Sequence, residues 1–362
     1  MLIHITTSSP PYRLHQAEAA ERLKRGMAPR PSIARLIDAA AHHSGIETRH
    51  VVAYDAAGGG EKAIYSTDAG APVPGTRERM AAYERWARSL SRDAAGRLLE
   101  ETGCDPSTVH RLITVSCTGF FAPGIDSFLV TELGIPASAQ RTHIGFMGCA
   151  AALVGFTSVI EALRAAEEEK STTLLVSVEL CSLHLQTTPT RDNILGNMIF
   201  ADGCAAALFS RASTHMPRLH LLKTCSHLFP DSSDYMGWKV GDTGFELKLS
   251  SELPRIISEA AIPVLEAMFV QQGIPRDAIR HWVLHPGGRA ILDALQDGLR
   301  LRDDEAYPSR AVLRNYGNMS SASILFVMKD LLATRVVARD EVVCAIAFGP
   351  GLTMEVAFLR GV

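Results

Sequence analysis

LLVSVEL, residues 174–180, is a nearly continuous apolar run bounded by turn signals. Such a run fits a β-strand covered on both faces, the usual state of a central sheet between helical layers. LITVSC (112–117), CAAALF (204–209), residues 282–284 and VVCAIAF (342–348) read the same way, and the N-terminal MLIHITTSSPPYR reads as a first strand. Helical periodicity without proline spans residues 77–101 and stops near Gly103. Further helices are expected over about 150–169, 253–272, 287–298 and 319–334. Breakers at 26–31 (GMAPRP), 58–60 and 70–75 (GAPVPG) mark loops. Strands alternating with helices along the whole length define an α/β protein.

The chain has 362 residues, 47% of them hydrophobic and 21% charged, with 36 Lys+Arg against 39 Asp+Glu. This composition excludes a disordered chain. The near-neutral balance, without blocks of like charge, gives no footprint for nucleic acid. No run of about 18 apolar residues is free of charges or breakers, and the N-terminus lacks a basic region and a cleavage site, so neither a membrane span nor a signal peptide is expected. Seven scattered cysteines without a C-x-x-C pair argue against structural zinc and a disulfide framework, and favour a reducing, cytoplasmic compartment. The length suits two or three domains or two packed halves. FADGCAAALF (200–209) and FGPGLTMEVAF (348–358) each pass from a glycine turn into a strand, which suggests a duplicated unit with a divide near 211–222.

Chemistry concentrates at three turns. In IGFMGC (144–149), followed by Ala150, Ala151 and Ala152, a cysteine stands at a helix start, where backbone N–H groups and the helix dipole favour a thiolate. HPGG (285–288) follows an apolar strand, where α/β proteins place functional loops. NYGNMSS (315–321) opens a helix. Singly, these read as a core cysteine, a structural histidine and an N-cap. Together, Cys, His and Asn are the residue types of thioester carbon–carbon bond formation: a thiol that accepts an acyl group, and two donors for an oxyanion. A Cys-His-Asn protease uses the same residue types, but no papain-like signature surrounds Cys149.

These motifs, with GPGLT (349–353), resemble the chalcone synthase-like type III polyketide synthases of the thiolase fold, from about Thr6 to the C-terminus. Ketoacyl synthases share Cys, His and Asn but usually carry His-Gln-Ala-Asn in place of HPGG and lack the GPGLT loop. The resemblance implies a duplicated five-layered αβαβα fold, with residues 1–215 as the half carrying the cysteine and 216–362 as the half carrying His and Asn. It implies a homodimer, a pantetheine tunnel, acyl-CoA and malonyl-CoA as substrates, and no cofactor or metal. Cys149 would be the nucleophile, supported by His285 as an ion pair, and His285 with Asn318 would stabilise the enolate left by decarboxylation. Phe200 matches the first gatekeeper. Leu247, or Phe245 with a shift of two, matches the second. Cys117, Cys181, His184 and Ser320 match cavity walls, and Ala122 a dimer contact. Arg35 and Arg49 lie nearest the CoA entrance. Smaller walls at Cys117, Ala122 and Leu247 suggest a long aliphatic starter and alkylpyrone or alkylresorcinol products. A single-condensation ketoacyl synthase and a silent acyl-binding subunit are the alternatives.

Overall fold

A computed structural model describes residues 1–27, 30–53, 64–65, 72–166, 171–211 and 219–362. The expected loop at 58–60, residues 70 and 71, and the last residues of the helix expected to reach 169 lie outside them, as do residues 212–218 of the expected divide. The first part of the chain forms β1 (Leu2–Ser8), β2 (Arg13–His15), α1 (Gln16–Met27), α2 (Pro31–His43), β3 (Thr48–His50), α3 (Thr76–Thr102), β4 (Val109–Ser116), α4 (Ile125–Leu133), β5 (Gln140–Gly145), α5 (Ala151–Ala165), β6 (Thr172–Leu180), α6 (Arg191–Ile199) and β7 (Asp202–Ser210). The rest forms β8 (Leu219–Leu228), β9 (Met236–Gly241), β10 (Gly244–Leu249), α7 (Leu253–Ile256), α8 (Ile262–Gln271), β11 (Ile279–Leu284), α9 (Arg289–Gly298), α10 (Asp303–Tyr316), α11 (Ser323–Thr334), β12 (Val342–Gly349) and β13 (Thr353–Gly361).

Nine strands make one mixed sheet in the order β11-β12-β13-β8-β1-β7-β6-β4-β5. Its two wings meet where β1 pairs with β8 through only two registers, Leu2↔His220 and Ile3↔Leu219. Alternating side chains assign the layers. On β6, Leu174, Val176, Val178 and Leu180 face a core shared with α3 and α4, whereas Leu175 faces α5 and α11. On β12, Val343, Ala345 and Ala347 face α5 and α11, whereas Cys344, Ile346 and Phe348 face α8 and α9. The two wings therefore sandwich α5 and α11 and are covered outside by helices, giving five αβαβα layers, the thiolase-like arrangement.

The expected strands are present because burial on both faces writes apolar runs. Helix α3 starts with the Gly75 N–H donating to Glu78 Oε2 at 2.7 Å and ends at Gly103. Residues 148–165 are apolar and long enough to cross a membrane, but Ala151, Phe156, Val159 and Leu163 lie in the central core, so this helix is buried by the sheet. Strands β5, β9 and β10 had no apolar run to announce them. Strand β5 is an edge strand whose side chains are mostly exposed, and β9 with β10 forms a separate hairpin across the cavity described next.

Candidate active site

Cys149 lies in the turn between β5 and α5. The preceding Gly148 has φ 64°, and a Cβ there would stand 2.1 Å from Pro350 Cδ, so only glycine lets the GPGLT loop pack behind the cysteine. His285 follows β11, with its N–H on Ile346 O at 2.8 Å. Asn318 precedes α11. Its Nδ2 donates to Gly287 O at 3.2 Å, and its Oδ1 accepts the Ser320 N–H at 2.8 Å. Cys149, His285, Asn318, Phe200 and Leu247 line one cavity of about 290 Å³. Phe146 (φ 56°) and Ser320 (φ 46°) hold left-handed backbone beside the cysteine and the asparagine, local strain of the kind stored at functional sites.

Burial pushes the Cys149 thiol up to about 12; hydrogen bonds from Ser320 and Asn318 oppose the shift and the Glu179 carboxylate adds to it. Burial also pushes the His285 imidazole down to about 3. Among the described residues, neither ring nitrogen of His285 has a hydrogen-bond partner. Burial thus works against charge on either partner of the ion pair that the family resemblance implies.

The remaining expected residues divide. Cys117, Cys181 and Ser320 line a compartment of about 40 Å³ that also reaches Cys149, Phe200 and Leu247. Leu247 lines both the cavity and this compartment, whereas Phe245 lines neither, is fully buried and stacks on His184 with ring centroids 4.1 Å apart. His184 lines neither the cavity nor the compartment at Cys149. It bridges Thr118 O (2.6 Å) and the Phe245 N–H (2.9 Å), and burial lowers it to about 3, so it serves as a neutral strut beside a separate pocket of about 50 Å³. Ala122 is exposed and lines none of these spaces within the single chain. Arg49 is buried, donating to main-chain carbonyls, and Arg35 is exposed on α2 and does not line the cavity. Among the exposed residues lining the cavity are the basic side chains His43, Arg191 and Arg289.

Two site residues escaped the sequence reading. Trp238 on β9 lines the compartment beside Cys117 and donates Nε1–H to Cys117 O at 2.7 Å. Glu179 is fully buried, accepts from Cys117 N (3.0 Å), Thr118 Oγ1 (2.8 Å) and Ser321 Oγ, and is pushed up to about 7 by burial. Its signal was legible: a lone charge in the two-sided apolar run 174–180 must find partners.

A cysteine at a helix start facing histidine and asparagine in a five-layered fold defines a thiolase-fold condensing enzyme. Residues 53–228 match the family described as FAE1/type III polyketide synthase-like protein, and residues 220–362 match the chalcone and stilbene synthases' C-terminal domain. The chain is 31% identical to phloroglucinol synthase of Pseudomonas fluorescens, with 78% of this chain and 80% of the relative covered. It is 30% identical to the alpha-pyrone synthesis polyketide synthase-like Pks18 of Mycobacterium tuberculosis, covering 77% and 72%. The crystal structure of PKS-I from the brown alga Ectocarpus siliculosus superposes with a TM-score of 0.91 at 28% identity, covering 100% of this chain and 98% of that one. The chain belongs to the type III polyketide synthase family. It is an acyltransferase, a malonyl-CoA-dependent polyketide synthase acting by decarboxylative condensation.

Proposed function

We propose that Cys149 loads a long aliphatic acyl-CoA starter, extends it by repeated condensation with malonyl-CoA, and releases a cyclised alkylpyrone or alkylresorcinol. The observation carrying this reading is the single cavity that joins Cys149, His285 and Asn318 to apolar walls at Leu195, Leu247, Leu249 and Ile257. Relatives named for phloroglucinol and alpha-pyrone synthesis show that the same fold serves several products.

In loading, Cys149 Sγ attacks the thioester carbonyl as its proton passes to His285. The C–S bond to CoA breaks, and the imidazolium returns the proton to the departing CoA thiolate. Starting from neutral partners, no isolated charge is stored in the dry pocket. In extension, neutral His285 and the Asn318 amide donate to the malonyl thioester oxygen. The carboxylate leaves as CO2, its bonding pair becomes the enolate, and the enolate carbon attacks the Cys149 acyl group, expelling the Cys149 thiolate. Fixed donors aimed at a developing oxyanion in a water-poor pocket act without reorganisation. The exposed His43, Arg191 and Arg289 lining the cavity meet the CoA phosphates. Every step balances with CoA thioesters and side chains, so we propose no cofactor.

We further propose that residues 1–215 and 216–362 are duplicated halves, that the enzyme is a cytoplasmic homodimer, and that the edge strand β5 with exposed Phe120, Phe146 and Met147 forms its interface. All seven cysteines are free thiols, which suits a reducing compartment. Intact-protein mass spectrometry after mixing with acyl-CoA tests the nucleophile: an acyl adduct on the native chain is expected, and acyl transfer retained in Cys149→Ala refutes the assignment. A panel of acyl-CoAs tests the starter. Turnover of short or aromatic starters at least about tenfold faster than dodecanoyl to octadecanoyl chains, a preference of ~1.4 kcal/mol, refutes the long-chain reading.

A further inference from the structure

Arg49 is 3% exposed, although a guanidinium is among the costliest groups to bury. It sits on β3, which pairs with β2 through Leu14↔Arg49. Its Nη1 donates to Asn197 O and to Phe200 O, each at 2.7 Å, satisfying carbonyls at the C-terminal end of α6. Its stem runs against Gly317, where a Cβ would lie 2.9 Å from Arg49 Cγ and 3.0 Å from Cδ. Gly317 also has φ 72°, so glycine is required there twice over.

Phe200 and Asn318 are themselves joined. The Ala201 N–H donates to Asn318 O at 2.8 Å, the Asn318 N–H donates to Ile199 O at 3.0 Å, and the two residues form an isolated parallel bridge. The neighbours of Arg49 brace the same loop: Glu47 N–H reaches Arg314 O at 2.8 Å, and Thr48 Oγ1 reaches Asn315 O at 2.8 Å. Asp202, two residues beyond Phe200, takes the Val52 N–H at 2.7 Å. One short segment, 47–52, therefore grips both the loop bearing Phe200 and the loop bearing Asn318. Cys149 and His285 are anchored elsewhere, in the turn before α5 and on Ile346 of β12.

We infer that Arg49 is a positioning residue for decarboxylation: by holding the Phe200 carbonyl and the Gly317 backbone together, it sets the phenyl ring and the Asn318 amide at a fixed separation around the malonyl thioester. This rests on the roles proposed above for Phe200 and Asn318. The guanidinium touches no reacting atom, and loading of Cys149 does not pass through it.

The test uses Arg49→Lys and, from the other side of the contact, Gly317→Ala. In the first, the lysine nitrogen falls where the guanidinium carbon stands, short of both carbonyls. In the second, a methyl group pushes the arginine stem away. CO2 release from malonyl-CoA, single-turnover acylation of Cys149 by starter acyl-CoA, and the thermal midpoint are measured for each. CO2 release is expected to fall about tenfold or more while the acylation rate stays within about twofold, because misplacement of an oriented donor strikes only the step that uses it. Equal losses in both half-reactions, or no loss in either variant that folds, overturn the inference; so does unfolding of both variants, which makes Arg49 a stability element. Failure of the unsubstituted enzyme to acylate Cys149 overturns instead the reading of the site.

Discussion

Trp238→Ala is the sharpest probe of where the acyl chain lies. Trp238 pairs across the hairpin with Leu247, stands 6.3 Å from the Phe200 ring, and lines both the compartment of about 40 Å³ at Cys149 and the pocket of about 50 Å³ beyond. The far pocket is walled by Leu14, Leu23, Val51 and Met198, so removing the indole joins two small spaces into one apolar channel. An indole's length accepts about four methylenes, and at ~0.8 kcal/mol each their burial is worth ~3 kcal/mol, or roughly 200-fold in kcat/KM. The variant loses the Nε1–H bond to Cys117 O, worth about 1 kcal/mol, and edge contacts with His184 and Phe245 worth about as much, which leaves most domains folded. The assay is kcat/KM across a series of saturated acyl-CoAs. The native enzyme should gain with length and then reach a cut-off; in Trp238→Ala the cut-off should move out by about four carbons. An unmoved cut-off in a folded variant refutes the idea that the growing or starter chain points at Trp238.

Asn318→Ala should slow CO2 release from malonyl-CoA by roughly 100- to 1,000-fold, the cost of one oxyanion donor, in a steady-state decarboxylation assay; a loss under about tenfold argues that His285 acts alone. In Glu179→Gln the carboxylate that helps raise the Cys149 thiol is gone, so the pH profile of Cys149 alkylation should shift toward acid. Glu179 itself binds its proton more tightly when folded, its carboxyl being raised from 4.5 to about 7. Its favourable contribution is complete below about pH 4.5 and lost as pH rises through 7, so the native chain should weaken relative to Glu179→Gln by up to ~3 kcal/mol across that window. Urea midpoints measured near pH 4.5 and near pH 8 check this, and a constant difference between the two proteins contradicts it. Phe120→Asp places a charge in the exposed aromatic patch and should convert a dimer to monomer in sedimentation velocity; an unchanged dimer moves the interface elsewhere.

Much of the sheet was legible because strands buried on both faces cannot alternate, and residues 174–180 and 342–348 advertise that directly. Strand β5 could not be read this way: as an edge strand with exposed side chains it spells QRTHIG. Helix α10, with Pro308 inside it, also gave no clean period. At the site, Cys149, His285 and Asn318 were legible because each occupies a turn whose chemistry is local. His184 and Arg49 were not, because their places depend on distant main chain: Thr118 O and Phe245 N–H for the imidazole, and the carbonyls ending α6 for the guanidinium. Trp238 was silent in sequence, since its position across the cavity exists only once β9 and β10 fold over the wing edge.

The electrostatics of the cavity explain why these distant supports matter. Burial moves thiol and imidazole in opposite directions, to about 12 and about 3, and the nearby Glu179 carboxylate works further against a thiolate. Ser320 and Asn318, which donate to the Cys149 thiol, carry no charge. Charge that develops on the thioester oxygen during bond exchange must be met at once by donors already in position. A neutral donor tolerates little displacement, since a hydrogen bond weakens steeply when bent or stretched. That is the physical reason for the main-chain bridge between Phe200 and Asn318, and for a buried arginine holding one end of it.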